Sequence, residues 1–334
     1  EVVPRRWHEM GASEVLYINS RNATQFARDW AWLVKELWKW RPELIYVNSL
    51  HSPWFSIAPL ALRRVRLLPN SQVLIAPRGE CARAARAIRR RKKAYARSLI
   101  RCILGKGLTW HATSVHEVSD IQAWWGRPVS PGHQVIVRGS RAPRPIPNPS
   151  GSGGSRLARF VFASRIDPMK GLDRFIRCVA TIRQPCEVHI HGIVTDSSYW
   201  KRCRSLIESL PASVRVVYGG EFQSEGLPHI LDNADVFVLP SKGENFGHAI
   251  AEALSRGCPV AVSEATMWTE TVRQGGGCAS ERDEVIAQFL AEVSSEAPPV
   301  RALRRERTLR AYSRWYHNEQ DQSDLFARAL HESS

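Results

Sequence analysis

The chain has 334 residues, 43% of them hydrophobic and 24% charged, a balance that builds a core and excludes a disordered or fibrous protein. No run approaches the ~18 apolar residues a membrane-spanning helix needs, and the first residues do not form a signal peptide. The formal net charge is +15, and it is unevenly placed: residues 1–150 hold 25 Lys/Arg against 9 Asp/Glu, residues 151–334 hold 22 against 23.

Two halves of such different charge are expected to meet different partners. The chain opens at Glu1 rather than Met, which reads as a processed or partial product. Seven scattered cysteines form no C-x-x-C pair, which fits buried free thiols in a reducing cytoplasm and argues against structural zinc.

In chain order, Val15–Ile18 reads as a strand, Thr24–Trp40 as a helix and Leu44–Val47 as a strand ending at the Asn48-Ser49 turn. Ile57–Val65 reads as a helix and Gln72–Ala76 as a buried strand running into Pro77-Arg78-Gly79. A long helix is expected over 82–104, with Arg83, Arg86, Arg90, Lys93, Arg97 and Arg101 stepping by three or four residues along one face. Ser114-Val115-His116-Glu117 fits a capping box that starts a helix into Trp124-Trp125, with Glu117 as a cap and nothing more. Residues 139–155, GSRAPRPIPNPSGSGGS, break all periodicity and read as a linker, which divides the chain into domains 1–148 and 149–334.

The second half restarts the alternation with strands at 160–163, 187–190, 214–218, 236–239 and 260–262 and helices between them. In such doubly wound sheets ligands bind beyond the C-terminal ends of the strands. Three strand ends carry suitable residues. Arg165 and Lys170 lie five residues apart in one loop with Gly171 behind them, which suits a diphosphate. His191-Gly192 exposes a second turn. Pro240 to Gly247 brings Glu244, Asn245, Phe246 and Gly247 to a helix start whose amides can hold an anion, with Glu252 eight residues beyond Glu244. Carboxylates accept well from sugar hydroxyls, so Glu252 is assigned to a ribose and Glu244 to a sugar. Taken singly, the two glutamates also read as solvated helix-end carboxylates, and Arg165 with Lys170 as a surface pair with Asp167. Trp268 either packs under the 240–247 loop or fills the core, the latter being preferred, and His111 and His116 read as ordinary core or surface histidines.

Residues 160–275, with ASRIDPMKGLDRF, NADVFVLPSKGENFGHAIAEALSRGCPVAVSE and TMWTETVRQGG, resemble the donor-binding domain of family 4 retaining glycosyltransferases of the GT-B fold. The E-x7-E motif stands at Glu244 and Glu252, and the Arg/Lys pair at Arg165 and Lys170. Residues 44–125 resemble the acceptor-side domain of bacterial polysaccharide-assembling members. The resemblance implies an α/β protein of two Rossmann-like domains, doubly wound parallel sheets facing a cleft. It implies retaining, metal-independent transfer of a hexose from a UDP-, GDP- or ADP-linked sugar, with no cofactor besides that co-substrate. The acceptor it implies is a lipid-linked or oligosaccharide molecule in bacterial polysaccharide or lipopolysaccharide synthesis. Arg165 and Lys170 would neutralise the leaving diphosphate, with Glu244 and Arg78 as the other catalytic residues. The donor-binding set would be Gly192, Asn245, Phe246, Gly247 and Glu252. Two departures stand out. Many members carry His or Asp where this chain has Arg78, and the first strand, Gly-rich loop and helix of the family are not found. The acceptor-side domain is therefore expected to lack its first βαβ unit, ~30 residues or more.

For the basic face of 82–104 three readings compete: a solvated face, nucleic acid, and the anionic headgroups of a membrane. The membrane surface is preferred, which puts the enzyme at the inner face of the plasma membrane. No zinc finger, RNP-like motif or helix-turn-helix supports the nucleic-acid alternative. The remaining rivals are a basic nucleic-acid-binding α/β protein and an inactive or truncated transferase that only binds nucleotide.

Overall fold

A computed structural model describes residues 7–10, 13–16, 23–69, 71–81, 98, 100, 102, 109–113, 115–125, 135–137, 142–146 and 157–319. β1 (Trp7–Met10) and β2 (Ser13–Leu16) form a separate antiparallel pair with Trp7 opposite Leu16. This corrects the expected strand at 15–18, which was read as part of the parallel alternation. Only Gly11 and Ala12 separate the two strands, and a two-residue connection permits antiparallel pairing alone.

After α1 (Ala23–Trp40), a parallel four-stranded sheet runs β3 (Leu44–Asn48), β4 (Gln72–Ala76), β5 (Thr109–Ala112), β6 (Val135–Val137) in that spatial order. Its central strand β4 is almost wholly buried, as a parallel strand covered on both faces has to be. The expected helix from Ile57 begins with a π-helical turn, Pro53–Ile57, and continues as α2 (Ala58–Arg64). α3 (Val115–Trp125) packs Trp124 and Ile121 against Trp110 of β5. The basic helix expected over 82–104 lies outside the described residues, except for Ser98, Ile100 and Cys102, which are helical. Arg83, Arg86, Arg90, Lys93, Arg97 and Arg101 therefore have no described placement.

The second sheet has six parallel strands: β7 (Ala158–Ala163), β8 (Cys186–His191), β9 (Val214–Gly220), β10 (Val236–Leu239), β11 (Val260–Val262) and β12 (Cys278–Ala279). Their spatial order is β12-β11-β10-β7-β8-β9, so the chain winds outward one way from β7 and the other way from β10. Strand order reverses between β7 and β10, and the crevice outside that reversal is where such sheets hold ligands. α4 (Leu172–Val179), α5 (Ser197–Glu208), α6 (Leu227–Asp232), α7 (His248–Ser255), α8 (Thr269–Gln274) and α9 (Asp283–Ser295) connect and cover the strands. Phe160, Phe162, Phe175 and Phe237 are completely buried between them, each such side chain contributing about 1.5–3 kcal/mol of transfer free energy.

The long α10 (Pro298–Glu319) closes the domain. Its Arg301 pairs with Asp235 at 3.5 Å, Arg305 donates to the Ala234 carbonyl at 2.6 Å, and Tyr312 donates to the Pro143 carbonyl at 2.7 Å. Residues 142–146 thereby lie along the second domain, with the Ile146 amide bonded to the Ser255 carbonyl at 2.9 Å.

Two glycines let the strand-end loops touch. Gly171 (φ +74°) leaves no room for a Cβ, which would stand 2.3 Å from the Pro240 carbonyl oxygen. Gly192 (φ +144°) is tighter, its Cβ position lying 1.8 Å from the Ser164 carbonyl oxygen. Around it the Ser164 amide donates to His191 at 3.1 Å and the Ile166 amide to Ile193 at 2.8 Å. Gly192→Ala is expected to lower the stability of this domain by about 2 kcal/mol or more, from overpacking and backbone strain together. Urea denaturation followed by circular dichroism reads this as a lower midpoint.

Candidate active site

The loop after β7 is built to hold Lys170 still. Asp167 accepts the Met169 amide at 2.8 Å, the Lys170 amide donates to the Asp167 carbonyl at 3.1 Å, and the Lys242 amide donates to Met169 at 2.8 Å. The Lys170 ammonium then donates to the Glu244 carboxylate at 2.7 Å, with both side chains largely buried. The two residues are 74 positions apart in sequence and meet because their loops leave neighbouring strands at the reversal.

Beyond Glu244 the chain enters α7 through Gly247, whose backbone is left-handed (φ +73°), and the first residues of the helix line the cleft. Trp268 supports this loop. It is fully buried, its indole N–H donates to the Phe246 carbonyl, and its ring meets Phe246 edge-on at 5.4 Å. Trp268 is thus a core residue and the floor of the loop at once. His248, the first residue of α7, carries an imidazole whose pKa is lowered by burial and further by the facing Arg78, with Glu244 opposing.

The other wall comes from the first domain. Arg78 follows β4 with a left-handed backbone (φ +52°), a strained state for a residue with a side chain. Its Nε donates to Asn48 Oδ1 at 2.8 Å and its Nη2 to the Tyr46 hydroxyl at 2.9 Å, while that hydroxyl lies 2.7 Å from His111 Nδ1. Burial raises the Tyr46 pKa against the opposing pull of Arg78, so the hydroxyl keeps its proton. Glu117 accepts from the Gly79 amide at 2.6 Å and from the Thr113 amide at 2.7 Å. This corrects its reading as a helix cap alone: its carboxylate also secures the loop that carries Arg78. The Thr113 hydroxyl sits 2.7 Å from both the Glu117 carboxylate and Asn245 Oδ1, which links the two domains directly. Gly79 borders the same contact, since a Cβ there would stand 3.2 Å from Asn245 Cβ.

Between these walls lies a cavity of about 510 Å³ whose lining includes Asn48, Arg78, Lys170, Glu244, Asn245 and His248, together with Phe246 and Gly247. The sequence-predicted residues Arg78, Lys170, Glu244, Asn245, Phe246 and Gly247 are therefore brought together. Three others stand outside this lining. Arg165 is 62% exposed and 3.8 Å from Asp167. Gly192 serves the packing of the β7 and β8 loops. Glu252 lies on α7, 3.7 Å from Arg256, with its pKa raised by burial. Asn48, Tyr46, Thr113 and His248 were missed. The signal that could have found Asn48 was its position at the end of a strand of the parallel alternation, the rule that points to Lys170.

Glu80 braces the first-domain wall from behind, accepting from Ser49 Oγ at 3.0 Å, from the Leu50 and His51 amides, and from His51 Nδ1 at 3.2 Å.

Comparison with known proteins gives the class. Residues 155–307 match the family model described as glycosyl transferases group 1. The sulfoquinovosyl transferase SQD2 of Arabidopsis thaliana is 32% identical over 74 residues, which are 22% of this chain and 14% of that relative's length. Among solved structures, a sucrose-phosphate synthase from Thermosynechococcus elongatus superposes with a TM-score of 0.67 at 19% identity, covering 97% of this chain and 83% of the other. WaaG, a glycosyltransferase involved in lipopolysaccharide biosynthesis, gives 0.60 at 14% identity over 96% and 85% of the two chains. Anabaena HepE, solved with UDP and glucose, gives 0.58 at 18% identity over 90% and 83%. At these identities the likeness is one of fold, and the fold is GT-B.

Burial pushes the Glu80 carboxyl up, but the hydrogen bonds from His51 and the Leu50 and His51 amides outweigh it and hold the pKa below its ordinary value of 4.5. A depressed folded-state pKa adds stability that is fully present above the unfolded value and lost as pH falls through the folded one. Glu80→Gln is therefore expected to cost about 1–2 kcal/mol at pH 7, with the deficit shrinking below the unfolded value. Thermal midpoints of both proteins between pH 3 and pH 8 check the sign.

Proposed function

We propose that this protein is a retaining, metal-independent glycosyltransferase that moves a hexose from a nucleotide-diphosphate sugar to a lipid-linked or oligosaccharide acceptor. The observation that carries the reading is the Lys170–Glu244 pair, 2.7 Å apart at the strand-order reversal, beside the start of α7 and facing Arg78 across the cavity. The group 1 domain and the GT-B fold supply its class.

In this mechanism the diphosphate occupies the amides at the start of α7, with Lys170 and Arg165 as its cations. Positive charge aimed at oxygens that become more negative as the glycosidic bond breaks lowers the barrier, because it is fixed in place beforehand. Protein cations thereby take the part a divalent metal plays elsewhere. Glu244 accepts from a hydroxyl of the sugar and Glu252 from the ribose. The acceptor oxygen bonds to the anomeric carbon on the face from which the diphosphate leaves, and the acceptor proton passes to the departing phosphate oxygen. This balances the step and retains configuration without a protein nucleophile.

The acceptor domain carries the surplus of positive charge, 25 Lys/Arg against 9 Asp/Glu, which suits an acceptor presented at an anionic membrane surface. Two structural neighbours carry a lipopolysaccharide role in their descriptions, WaaG and the outer-core galactosyltransferase WaaB. We place this chain in bacterial surface-polysaccharide or lipopolysaccharide assembly, peripheral at the cytoplasmic face of the membrane.

The test is a thermal-shift panel of UDP, GDP, ADP and their sugar conjugates on the wild type and on Lys170→Ala. A ligand that binds only the folded state adds RT ln(1 + [L]/Kd), about 2.7 kcal/mol at a hundredfold excess over Kd. One nucleotide is expected to raise the midpoint, and Lys170→Ala to abolish the rise. A panel with no shift would sink the donor-site reading.

A further inference from the structure

The charges that line the cavity do not balance. Lys170 is met by Glu244 at 2.7 Å. Arg78 is met by neutral groups only, Asn48 Oδ1 and the Tyr46 hydroxyl, and among the described residues no carboxylate pairs with it.

The guanidinium, though exposed, is also held in place. Its backbone is left-handed at φ +52°, the next amide is tied to Glu117, and two of its five N–H donors are committed to the first-domain wall. Three donors remain, in a planar fork matched to an oxyanion. The fork belongs to the wall opposite Lys170 and the start of α7, where the diphosphate of the proposed reaction sits. Hydroxyl groups alone do not call for a fixed, uncompensated cation; carboxylates, sulfonates and phosphates do.

Resting on the glycosyltransferase reading, we infer that Arg78 is a specificity residue for a second anionic group, a carboxylate, sulfonate or phosphate substituent on one of the two sugars that meet in the cleft. The substituent belongs either to the transferred sugar or to the acceptor, and the same fork serves both.

Calorimetric titration of the whole chain separates the two sources. In one arm UDP-glucuronate is compared with UDP-glucose. In the other, with UDP saturating, glucose 6-phosphate is compared with glucose. The anionic member of one pair is expected to bind about ten- to a hundredfold tighter, the scale of hydrogen bonds to a charged group. Arg78→Gln is expected to erase that preference and leave the affinity for UDP itself unchanged, with Arg78→Lys restoring part of it. Equal binding within both pairs by the wild type overturns the inference while leaving the donor site standing. So does a preference that survives Arg78→Gln, or a loss of UDP affinity in that variant, which would put Arg78 on the diphosphate. UDP stands here for whichever nucleotide the thermal-shift panel selects, and a wild type that binds none of UDP, GDP and ADP takes down the donor-site reading and this inference with it.

Discussion

An ammonium and a carboxylate that have left water can stay charged only by staying together, and Lys170 and Glu244 do so at the one place in the second sheet where strand order reverses. Much of the local structure exists to make that meeting possible. Gly171 lets its loop press against Pro240, Asp167 folds the loop back on its own amides, and Trp268 fixes the far side by gripping the Phe246 carbonyl. Each partner neutralises the other. An anion that reaches the ammonium competes with Glu244 for it, and the carboxylate so released is an acceptor at the same spot.

Most of this was legible because parallel strands announce themselves. Runs such as Val236–Leu239 and Val73–Ala76 are apolar throughout, and turn residues follow them at the cleft. Lys170 and Glu244 stand in the loops after β7 and β10, where that rule points, while Arg78, in the loop after β4, is a candidate through the family resemblance. What stayed hidden were contacts between residues far apart in sequence. Nothing about Tyr46 or Asn48 taken alone says that they fix the guanidinium of Arg78, 30 and more positions away. Glu117 sits three residues after a serine and so fits a capping pattern, which says nothing of its hold on Gly79. The hairpin of β1 and β2 was illegible for a different reason. Trp7–Met10 shows no run of apolar residues, and its pairing is dictated by the shortness of the link rather than by side chains. Likewise the three residues of β6, between Pro/Gly-rich stretches, are too few to show a period.

The two domains differ in how they are stabilised. The second has a core continuous across six strands and a closing helix whose Arg301 and Arg305 reach the Asp235 turn. Burial raises the Asp235 pKa, and the neighbouring arginines oppose that rise. In the described part of the first domain, order around the cleft comes from carboxylates that gather donors, Glu80 the Ser49 hydroxyl and the Leu50 and His51 amides, Glu117 the Gly79 and Thr113 amides. The cleft therefore has one wall braced by packing and the other by hydrogen bonds to buried charge.

The Thr113 hydroxyl touches two oxygens, the Glu117 carboxylate and Asn245 Oδ1, each at 2.7 Å, yet it has a single proton. A carboxylate is the stronger acceptor and takes it. The hydroxyl is then left with lone pairs facing Asn245, which favours the amide turned so that its NH2 points at Thr113 and its oxygen away. One proton in the first domain in this way decides whether the second presents a donor or an acceptor beside Glu244, so the two walls of the cleft share a polarity as well as a boundary.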